Sequence, residues 1–385
     1  MPDGTGRPVY VSVAVSHERD AAAAVEEVTA ALPLPATCFV LIFVPEHLPR
    51  DVLAAELDRQ MGGVPVFGCT TAGQITPEGY ETDALMAVAF PKKHFRCSSA
   101  LIEPLNPLSI KAIASEARRQ DTQFQHTAGW SRLALVFADG LSKQEDLLVS
   151  TLVTALEDLP IFGGSAGNGL DFRETFVLHR GRFHTNAALL LLIETDLVFE
   201  GLGFDHFLPT DTRMVVTDAL PEERLVLEIN GAPAAAEYAR IVGCPVDHLS
   251  PEIFAENPIL VRQNEAYHVR AIQGARGGQA LSFLSAIDDG LLMTLGRGKE
   301  IIETLEAGLD VRGPRGEAPD FILGFDCVLR KLEIEQKQLT DPVSKILSAA
   351  RVFGFNTYGE QHRGVHVNQT FVGVSFFDPV RRDLH

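Results

Sequence analysis

Apolar runs of strand length alternate with segments of helical periodicity along most of the chain. The runs VYVSVAVS (residues 9–16) and TCFVLIFV (residues 37–44) are almost wholly apolar, which is typical of strands in a sheet covered on both faces. Apolar residues recur at helical spacing in the segments that follow these runs, ERDAAAAVEEVTAALP and DVLAAELDRQM. This alternation predicts an α/β fold in which helices flank mixed sheets.

One short pattern occurs three times, as VPVFGCTTAG (residues 64–73), LPIFGGSAG (residues 159–167) and VFGFNTYG (residues 352–359). Each copy ends its apolar stretch in Phe-Gly and continues with small or hydroxyl residues to a second glycine. A strand and a helix precede each copy, the strands of the last two being RLALVFAD and FILGFDCVL, and an apolar strand follows. This matching order predicts repeated βαβ-type units with glycine turns at the ends of parallel strands.

The middle of the chain has a different pattern. Residues 213–298 contain short strands separated by glycine clusters, which is typical of an antiparallel meander. The C-terminal part should therefore contain a smaller β-rich insertion. We place a domain boundary near residue 220, between an N-terminal domain of residues 1–220 and a C-terminal domain of residues 221–385.

The charge balance argues against several classes of function. The 385 residues include 51 acidic and 33 basic ones, a net charge of -18 that repels phosphate backbones and disfavours nucleic-acid binding. No basic amphipathic helix points to a membrane surface, and the most apolar run, AALLLLI, is too short to span a bilayer. The five cysteines are widely spaced without a CxxC pair, which predicts free thiols in the cytoplasm.

The repeated turns contain the best candidates for ligand binding. Backbone at a glycine turn can come close to a ligand, while hydroxyl, carboxyl and amide side chains can orient it. The segment from residue 357 to residue 368 is the richest in such groups, and we interpret it as the lip of a pocket. The predicted ligand-binding residues are Cys69, Thr70, Thr71, Gly73, Gly164, Ser165, Thr357, Tyr358, Glu360 and Asn368.

Catalytic interpretations of the same turns have less support. GGSAG has the G-x-S-x-G form of a hydrolase elbow around Ser165, but no helical pattern follows it. Cys69 would be a reactive thiol only at a helix N-terminus, and the segment after it contains proline and glycine. His362 and His366 lie too far apart on an extended chain to share a zinc ion. We expect His362 on an exposed loop and His366 to point inward.

Taken together, these motifs resemble the FIST family, a bacterial sensory module made of two parts. FGCTTAG followed by Gln74 and Ile75 is similar to a signature of the N-terminal part, although Gln74 stands where the family usually has Glu. FGGSAGNG is similar to that part's second glycine turn, and EINGAPAAAEYA to the start of the C-terminal part. GFNTYGEQ followed by NQT resembles the end signature, with His366 one position earlier than the usual His. The resemblance covers roughly residues 30–375 and implies the two-part FIST architecture.

The resemblance implies a sensor rather than an enzyme. Members of the family bind small ligands in signal transduction. A subgroup without an output domain, called NosP, is associated with haem, nitric oxide and a partner histidine kinase that influences cyclic-di-GMP and biofilm signalling. ILGFDCVLRKLE is similar to that subgroup's version of the C-terminal part.

Two ligands follow from the resemblance. Haem b would need an axial histidine, for which His366 ranks first and His206 and His184 are alternatives. The other ligand is a small metabolite such as an amino acid, bound without haem, with Glu360 holding its ammonium group. A hydrolase that uses Ser165 ranks below both, and self-association of the chain stays open.

Overall fold

The computed structural model describes residues 10–170, 172–263 and 266–379. Within these ranges the strands form three six-stranded mixed sheets and one eight-stranded antiparallel sheet. Each of the three repeated passages of the sequence builds one mixed sheet. The predicted α/β fold of repeated βαβ-type units is therefore confirmed.

The first two units have the same order of elements: edge strand, helix, strand, helix, strand, hairpin, strand. The first consists of β1 (Ser12–Ser16), α1 (Ala21–Ala31), β2 (Thr37–Val44), α2 (Arg50–Gln60), β3 (Val66–Thr70), β4 (Gln74–Thr76), β5 (Gly79–Glu81) and β6 (Leu85–Pro91). The second consists of β7 (Phe95–Ile102), α3 (Ile110–Gln123), β8 (Ser131–Ala138), α4 (Glu145–Leu156), β9 (Ile161–Ser165), β10 (Val177–His179), β11 (Arg182–His184) and β12 (Ala188–Thr195).

The third unit keeps this order but contains two additions, an insertion after its edge strand and an extra helix before its second helix. The edge strand is β13 (Val198–Phe204). The insertion comprises β14 (Phe207–Leu220), β15 (Leu225–Ile229), β16 (Ala232–Pro233), α5 (Ala234–Val242), α6 (Pro251–Glu256), β17 (Ile259–Gln263), β18 (Ala266–Arg270), β19 (Ile272–Arg276), β20 (Ala280–Phe283) and β21 (Leu292–Gly298). The unit then continues with α7 (Ile301–Leu309), β22 (Phe321–Cys327), α8 (Val328–Gln336), α9 (Thr340–Ala349), β23 (Val352–Thr357), β24 (Glu360–His362), β25 (Val365–Val367) and β26 (Phe371–Phe377).

Each unit contributes its hairpin to another unit's sheet. We number the mixed sheets 1 to 3 after the unit that supplies four of their six strands. Strand β4 pairs with β23 in sheet 3, β10 pairs with β3 in sheet 1, and β24 pairs with β9 in sheet 2. The exchange is cyclic, so every mixed sheet contains four strands of its own unit and two of a neighbour. As a result, no unit completes its sheet alone.

Phenylalanine rings from the three sheets meet at the centre of the molecule. Phe43 on β2, Phe137 on β8 and Phe325 on β22 occupy equivalent positions, and all three are fully buried. Phe355 fills the space between them, with its ring centroid 4.8 Å from Phe43, 5.8 Å from Phe137 and 5.6 Å from Phe325. Each buried ring contributes about 1.5–3 kcal/mol through removal of apolar surface from water.

The helices cover the outer faces of the sheets. Helices α1 and α2 pack on sheet 1, α3 and α4 on sheet 2, and α7 and α9 on sheet 3, each pair closing its own apolar cluster. Each mixed sheet is thus buried on both faces, which explains why its strands read as continuous apolar runs.

The insertion forms the eight-stranded antiparallel sheet and has its own apolar core. The predicted antiparallel meander is thereby confirmed. The division near residue 220 stays a prediction: β14 ends at Leu220, and sheet 3 takes β13 from before this position and its other strands of unit three from after it. The predicted strand FILGFDCVL is shorter than expected, because β22 ends at Cys327 and α8 begins at Val328.

The Phe-Gly step brings two parallel strands of each unit very close together. In register, the glycine and its partner are Gly68 and Ile42, Gly163 and Val136, and Gly354 and Gly324. A Cβ atom on these glycines would lie 1.7–1.9 Å from the carbonyl oxygen of the partner residue. Only glycine allows this packing, which explains why the repeated pattern contains it.

We expect Gly354→Ala to destabilise the protein by about 3 kcal/mol, because the new methyl group would overlap the backbone of β22. Gly274→Ala is the matched control, since Gly274 also lies in a strand but has no atom within 4 Å of its Cβ position. The control should change stability by less than about 0.5 kcal/mol. Urea unfolding followed by circular dichroism measures both, and equal stability of the two variants would contradict the close packing.

Candidate functional site

The three repeated turns meet at one end of the central aromatic core and bond to one another in a ring. The Ala72 amide donates to the Asn356 carbonyl at 3.0 Å, and the Gly167 amide donates to the Thr70 carbonyl at 3.0 Å. The Tyr358 amide donates to the Ser165 carbonyl at 3.3 Å and closes the ring. The donors occupy equivalent positions in the three units, as do the acceptors, so the ring follows the pseudo-threefold repeat.

All ten predicted ligand-binding residues lie in or beside this ring, and most of their polar groups are already bonded. The Thr71 hydroxyl donates to the Val44 carbonyl at 3.2 Å and accepts from Gln74 Nε2 at 2.7 Å. The Thr70 hydroxyl accepts from the Phe176 amide at 3.0 Å.

The two glycines of the predicted set lie against neighbouring turns. A Cβ on Gly73 would lie 2.7 Å from Asn356 Oδ1, and one on Gly164 would lie 2.4 Å from Thr357 Cγ2. These glycines therefore allow one turn to pack against another.

Neither proposed nucleophile is arranged for catalysis. Cys69 is fully buried among apolar side chains, and this burial raises the pKa of its thiol well above the usual value. The Ser165 hydroxyl is fully buried and accepts a hydrogen bond from Gln361 Nε2 at 3.2 Å. No helix follows Ser165 within residues 166–170 and 172–176, so the strand–turn–helix geometry of a nucleophile elbow is absent there.

Glu360 is a buried carboxylic acid held by two hydroxyl groups. The Thr357 hydroxyl donates to one carboxyl oxygen, and the Thr370 hydroxyl donates to the other at 2.6 Å. Burial raises the pKa of Glu360 to about 8, even though both hydrogen bonds favour the charged form. Glu360 is therefore largely protonated at neutral pH. Its equivalent in the first unit is Gln74, a neutral residue that bonds to the equivalent threonine, Thr71, with Gln74 Nε2 as the donor.

Tyr358 and Asn368 tie the third turn to two other parts of the molecule. The Tyr358 hydroxyl donates to the Asn168 carbonyl at 2.9 Å. Asn368 Nδ2 donates to the Tyr358 carbonyl at 3.2 Å, and Asn368 Oδ1 accepts from the Ser285 hydroxyl at 2.7 Å. Asn368 thus connects the ring of turns to the insertion.

His366 differs from its neighbours because both of its ring nitrogens lack a partner among the residues that the structure describes. The side chain is buried, as expected, and packs against Gly359, where a Cβ would lie 2.3 Å from the His366 Cε1 atom. Burial lowers the pKa of His366, and the nearby carboxylates of Asp146 and Glu145 oppose this shift. In a neutral imidazole one ring nitrogen donates a hydrogen bond. The other accepts a hydrogen bond or binds a metal ion.

Four charged residues surround His366, and we call these five residues the His366 cluster. Arg224 binds Glu145 at 2.6 Å and Asp146 at 2.9 Å, while Arg270 Nη1 donates weakly to the His366 carbonyl at 3.5 Å. Arg270 is 9% exposed, and its Nε has no partner within the described residues. The Asp146 side chain is 26% exposed and gives the cluster its contact with solvent.

Asp146 and Arg270 have displaced pKa values that reflect this arrangement. Burial alone would raise the pKa of Asp146, but the positive charges around it outweigh that effect and leave the pKa lowered. Burial lowers the pKa of Arg270, and Asp146 opposes the shift. Arg270 and Asp146 therefore act on each other as opposite charges, while Arg270 Nε has no partner within the described residues.

No pattern in the sequence predicts the charged members of the His366 cluster. Glu145 and Asp146 begin α4, Arg224 precedes β15, and Arg270 ends β18. None of them lies in a repeated motif, and Arg270 is 96 residues away from His366 along the chain. Only the tertiary structure brings them together.

The other histidines considered as haem ligands are already engaged. His206 is fully buried, with Nε2 2.8 Å from Glu333 and Nδ1 accepting from Arg330 Nη1 at 3.1 Å. His184 lies on a partly exposed hairpin, and its Nδ1 atom is 3.2 Å from the Glu103 carboxylate. The prediction that His362 is exposed is wrong: its ring is half-buried against Gly203 and Phe162, and burial lowers its pKa to about 4.

Among the described residues, no group of three or more His, Cys, Asp or Glu side chains has metal-binding geometry. No helix in the same ranges is both long and apolar enough to cross a membrane.

Comparison with known proteins decides the family. The model of the FIST N domain matches residues 38–232, and the model of the FIST C domain matches residues 234–363. The chain belongs to the FIST family. FIST domains are sensory, ligand-binding modules of signalling proteins.

Other comparisons add little. A search of curated proteins gives no match. Among solved structures, cyanuric acid hydrolase from A. caulinodans is similar at 6% identity and a TM-score of 0.35, over 96% of this chain and 99% of that one. This TM-score is too low to carry an argument about fold or activity.

The His366 cluster contains residues from both FIST domains. Glu145, Asp146 and Arg224 belong to the FIST N match, and Arg270 belongs to the FIST C match. His366 follows three positions after the end of the FIST C match. A ligand in this cluster would therefore contact both domains at once.

We expect the contribution of Glu360 to the stability of the protein to fall as pH rises from about 4.5 to about 8. The folded state keeps this carboxyl protonated up to about pH 8, whereas the unfolded chain releases the proton near its ordinary pKa. In Glu360→Gln this contribution should disappear. The difference in unfolding free energy between the wild type and the variant should therefore fall by several kcal/mol across that window, at up to about 1.4 kcal/mol per pH unit.

Urea unfolding at a series of pH values provides the measurement. Gln74→Glu is the matched control, because it places a carboxyl at the equivalent position beside Thr71 and should steepen the loss of stability with pH. A constant difference between the wild type and Glu360→Gln across the window would show that Glu360 is ionised in the folded protein.

Proposed function

We propose that this FIST protein is a cytoplasmic sensor that binds a small metabolite with a carboxylate group, such as an amino acid, in the His366 cluster. The observation that carries the proposal is three buried nitrogens of this cluster that have no partner among the described residues, both ring nitrogens of His366 and Nε of Arg270. A buried polar group without a partner costs about 1–3 kcal/mol. A bound ligand that supplies the missing partners would recover this cost.

The chemistry of the cluster favours a carboxylate ligand. The Arg270 guanidinium can bind a carboxylate through two parallel hydrogen bonds, and His366 can donate a third. Asp146, the most solvent-accessible member of the cluster, can bind an ammonium group in addition to Arg224. An amino acid contains both charges, and its ammonium group would then lie on Asp146 rather than on Glu360, whose carboxyl is largely neutral.

The position of the cluster suggests how binding could be sensed. The insertion supplies Arg270 and Ser285, while the ring of turns supplies His366 and Asn368. A ligand bound to both sides shifts their arrangement only if it binds one arrangement more tightly than the other. Two charged hydrogen bonds across the junction supply that difference.

The same geometry gives no reason to propose catalysis. FIST domains are sensory modules, and the two candidate nucleophiles, the Ser165 hydroxyl and the Cys69 thiol, are fully buried. We therefore propose a binding protein and not a hydrolase or thiol enzyme.

Haem b is the second candidate ligand, with His366 as its axial residue. Only the free ring nitrogens of His366 favour it. The surroundings fit less well, because a haem needs an apolar slot whereas Glu145, Asp146, Arg224 and Arg270 surround this imidazole. Nitric oxide as the signal, a histidine kinase as the partner and cyclic-di-GMP as the downstream pathway stay predictions from the NosP resemblance.

We expect at least one amino acid or small carboxylate to raise the melting temperature of the purified protein. At a ligand concentration of 100 times Kd, the stabilisation would be about 2.7 kcal/mol. Arg270→Ala should abolish the shift by removing the carboxylate's partner. Arg276→Ala, which removes an exposed arginine in the next strand, should retain it. Binding that survives Arg270→Ala would exclude the His366 cluster as the site.

An absorption spectrum with added haemin tests the second candidate. A stoichiometric Soret band that moves when nitric oxide is added to the reduced protein would support haem, and His366→Ala should then lose the band. A broad band at less than one haem per chain, unaffected by the gas, would exclude the haem sensor and leave the metabolite sensor.

A further inference from the structure

A shallow surface groove with a volume of about 800 Å³, wide open to solvent, lies between α7 and α9 on the outer side of sheet 3. Its floor is apolar and is formed by Leu309 and Ala307 from α7 together with Ile346 and Ala349 from α9. Glu303, Glu306 and Asp310 line its α7 side and are exposed. The groove therefore combines an apolar floor with an acidic rim.

The other two units show that this opening is specific to the third. In units one and two, the corresponding helices pack extensively, α1 against α2 and α3 against α4, whereas α7 and α9 make few contacts. The extra helix α8 precedes α9 and packs against α6 of the insertion. The third helix pair therefore remains apart where the pseudo-threefold repeat would close it.

The charge of the rim indicates which kind of protein segment the groove would bind. Within the part of the chain that the structure describes, Glu303 and Glu306 form no salt bridge, and Asp310 pairs only with its exposed neighbour Arg312. Three carboxylates along one wall of an apolar groove would attract a basic, amphipathic segment. The floor would cover that segment's apolar face, and the rim would pair with its lysine or arginine side chains.

We propose that the groove between α7 and α9 binds a basic amphipathic helix of a partner protein. The proposal deepens the sensory role, since a sensor needs a surface that its receiver reads, but peptide binding here does not require the metabolite. A second copy of the chain is the less favoured occupant, because its net charge of -18 opposes docking against an acidic rim.

The two helices of the groove connect directly to the ligand site. Helix α7 begins three residues after the end of β21, the last strand of the insertion, and α9 leads into β23, which ends at Thr357 in the ring of turns. A change in how the insertion sits on the ring would therefore act on both walls of the groove. This connection gives the groove a role in output that an isolated surface feature would lack.

Fluorescence anisotropy with a labelled synthetic peptide tests the proposal on the full chain. The probe is a helix of about 14 residues, or ~21 Å, with leucine on one face and lysine on the other. A second peptide carries glutamate in place of lysine. We expect the lysine peptide to bind and the glutamate peptide not to bind.

Three variants locate the binding. Glu306→Lys should weaken the lysine peptide at least about tenfold, through loss and reversal of a rim charge. Ala349→Trp should weaken it similarly by filling the floor without a change of charge. Glu26→Lys, an equal change on an exposed face of the equivalent helix α1, should leave the affinity unaltered.

Three outcomes would overturn the proposal. Equal affinity in Glu306→Lys and the wild type would place the peptide elsewhere, and binding of both peptides would show that charge does not select the occupant. A wild-type dimer that Ala349→Trp dissociates, in sedimentation equilibrium, would identify a second copy as the occupant. Since none of these measurements includes a metabolite, their failure would leave the ligand proposal standing.

Discussion

Burial of three aromatic sheet faces against one another is the constraint on which the rest of the structure depends. Each mixed sheet has helices on its outer side, so its inner face can be covered only by the other two sheets. Phe43, Phe137 and Phe325 supply one ring from each sheet, and Phe355 fills the gap between them. Because each sheet also borrows its last two strands from another unit, the three repeats stabilise one another and cannot be separated into independent domains.

This architecture explains why the polar residues of the repeated turns are buried. The turns leave the ends of the central strands at the axis, where water cannot satisfy their backbone, so each turn bonds to the next one in a ring. Beside this ring, Thr71 bonds to Gln74, and Thr357 bonds to Glu360. A carboxyl in this position is best kept protonated, and a natural glutamine at the equivalent place supports that view. The groups of the His366 cluster that lack partners lie where the insertion meets the ring of turns.

The sequence predicts the strands and helices of each unit better than the pairing of strands between units. Phe-Gly steps, flanking helices and apolar strands are local patterns, and they are sufficient to predict three similar units. The exchange of hairpins is not predictable in this way, since a three-residue strand has the same pattern in whichever sheet it pairs. The contact of Arg270 with His366 is likewise a result of tertiary folding. The sequence pattern does not predict helix α8, because its first residues, from Val328, continue the apolar run of β22.

The attachment of the insertion links the site to the surface of the protein. The insertion leaves the third unit at His206 and returns at Lys299, and the Lys299 amide donates to the His206 carbonyl at 2.6 Å. Arg330 and Glu333 hold the His206 ring from both sides, so α8 fixes this junction. Burial lowers the pKa of His206 and keeps the ring neutral, as its acceptance of a hydrogen bond from Arg330 requires. A rearrangement of the insertion would therefore act on this junction, which adjoins both α7 and α8, as well as on the contacts of the insertion with the ring of turns.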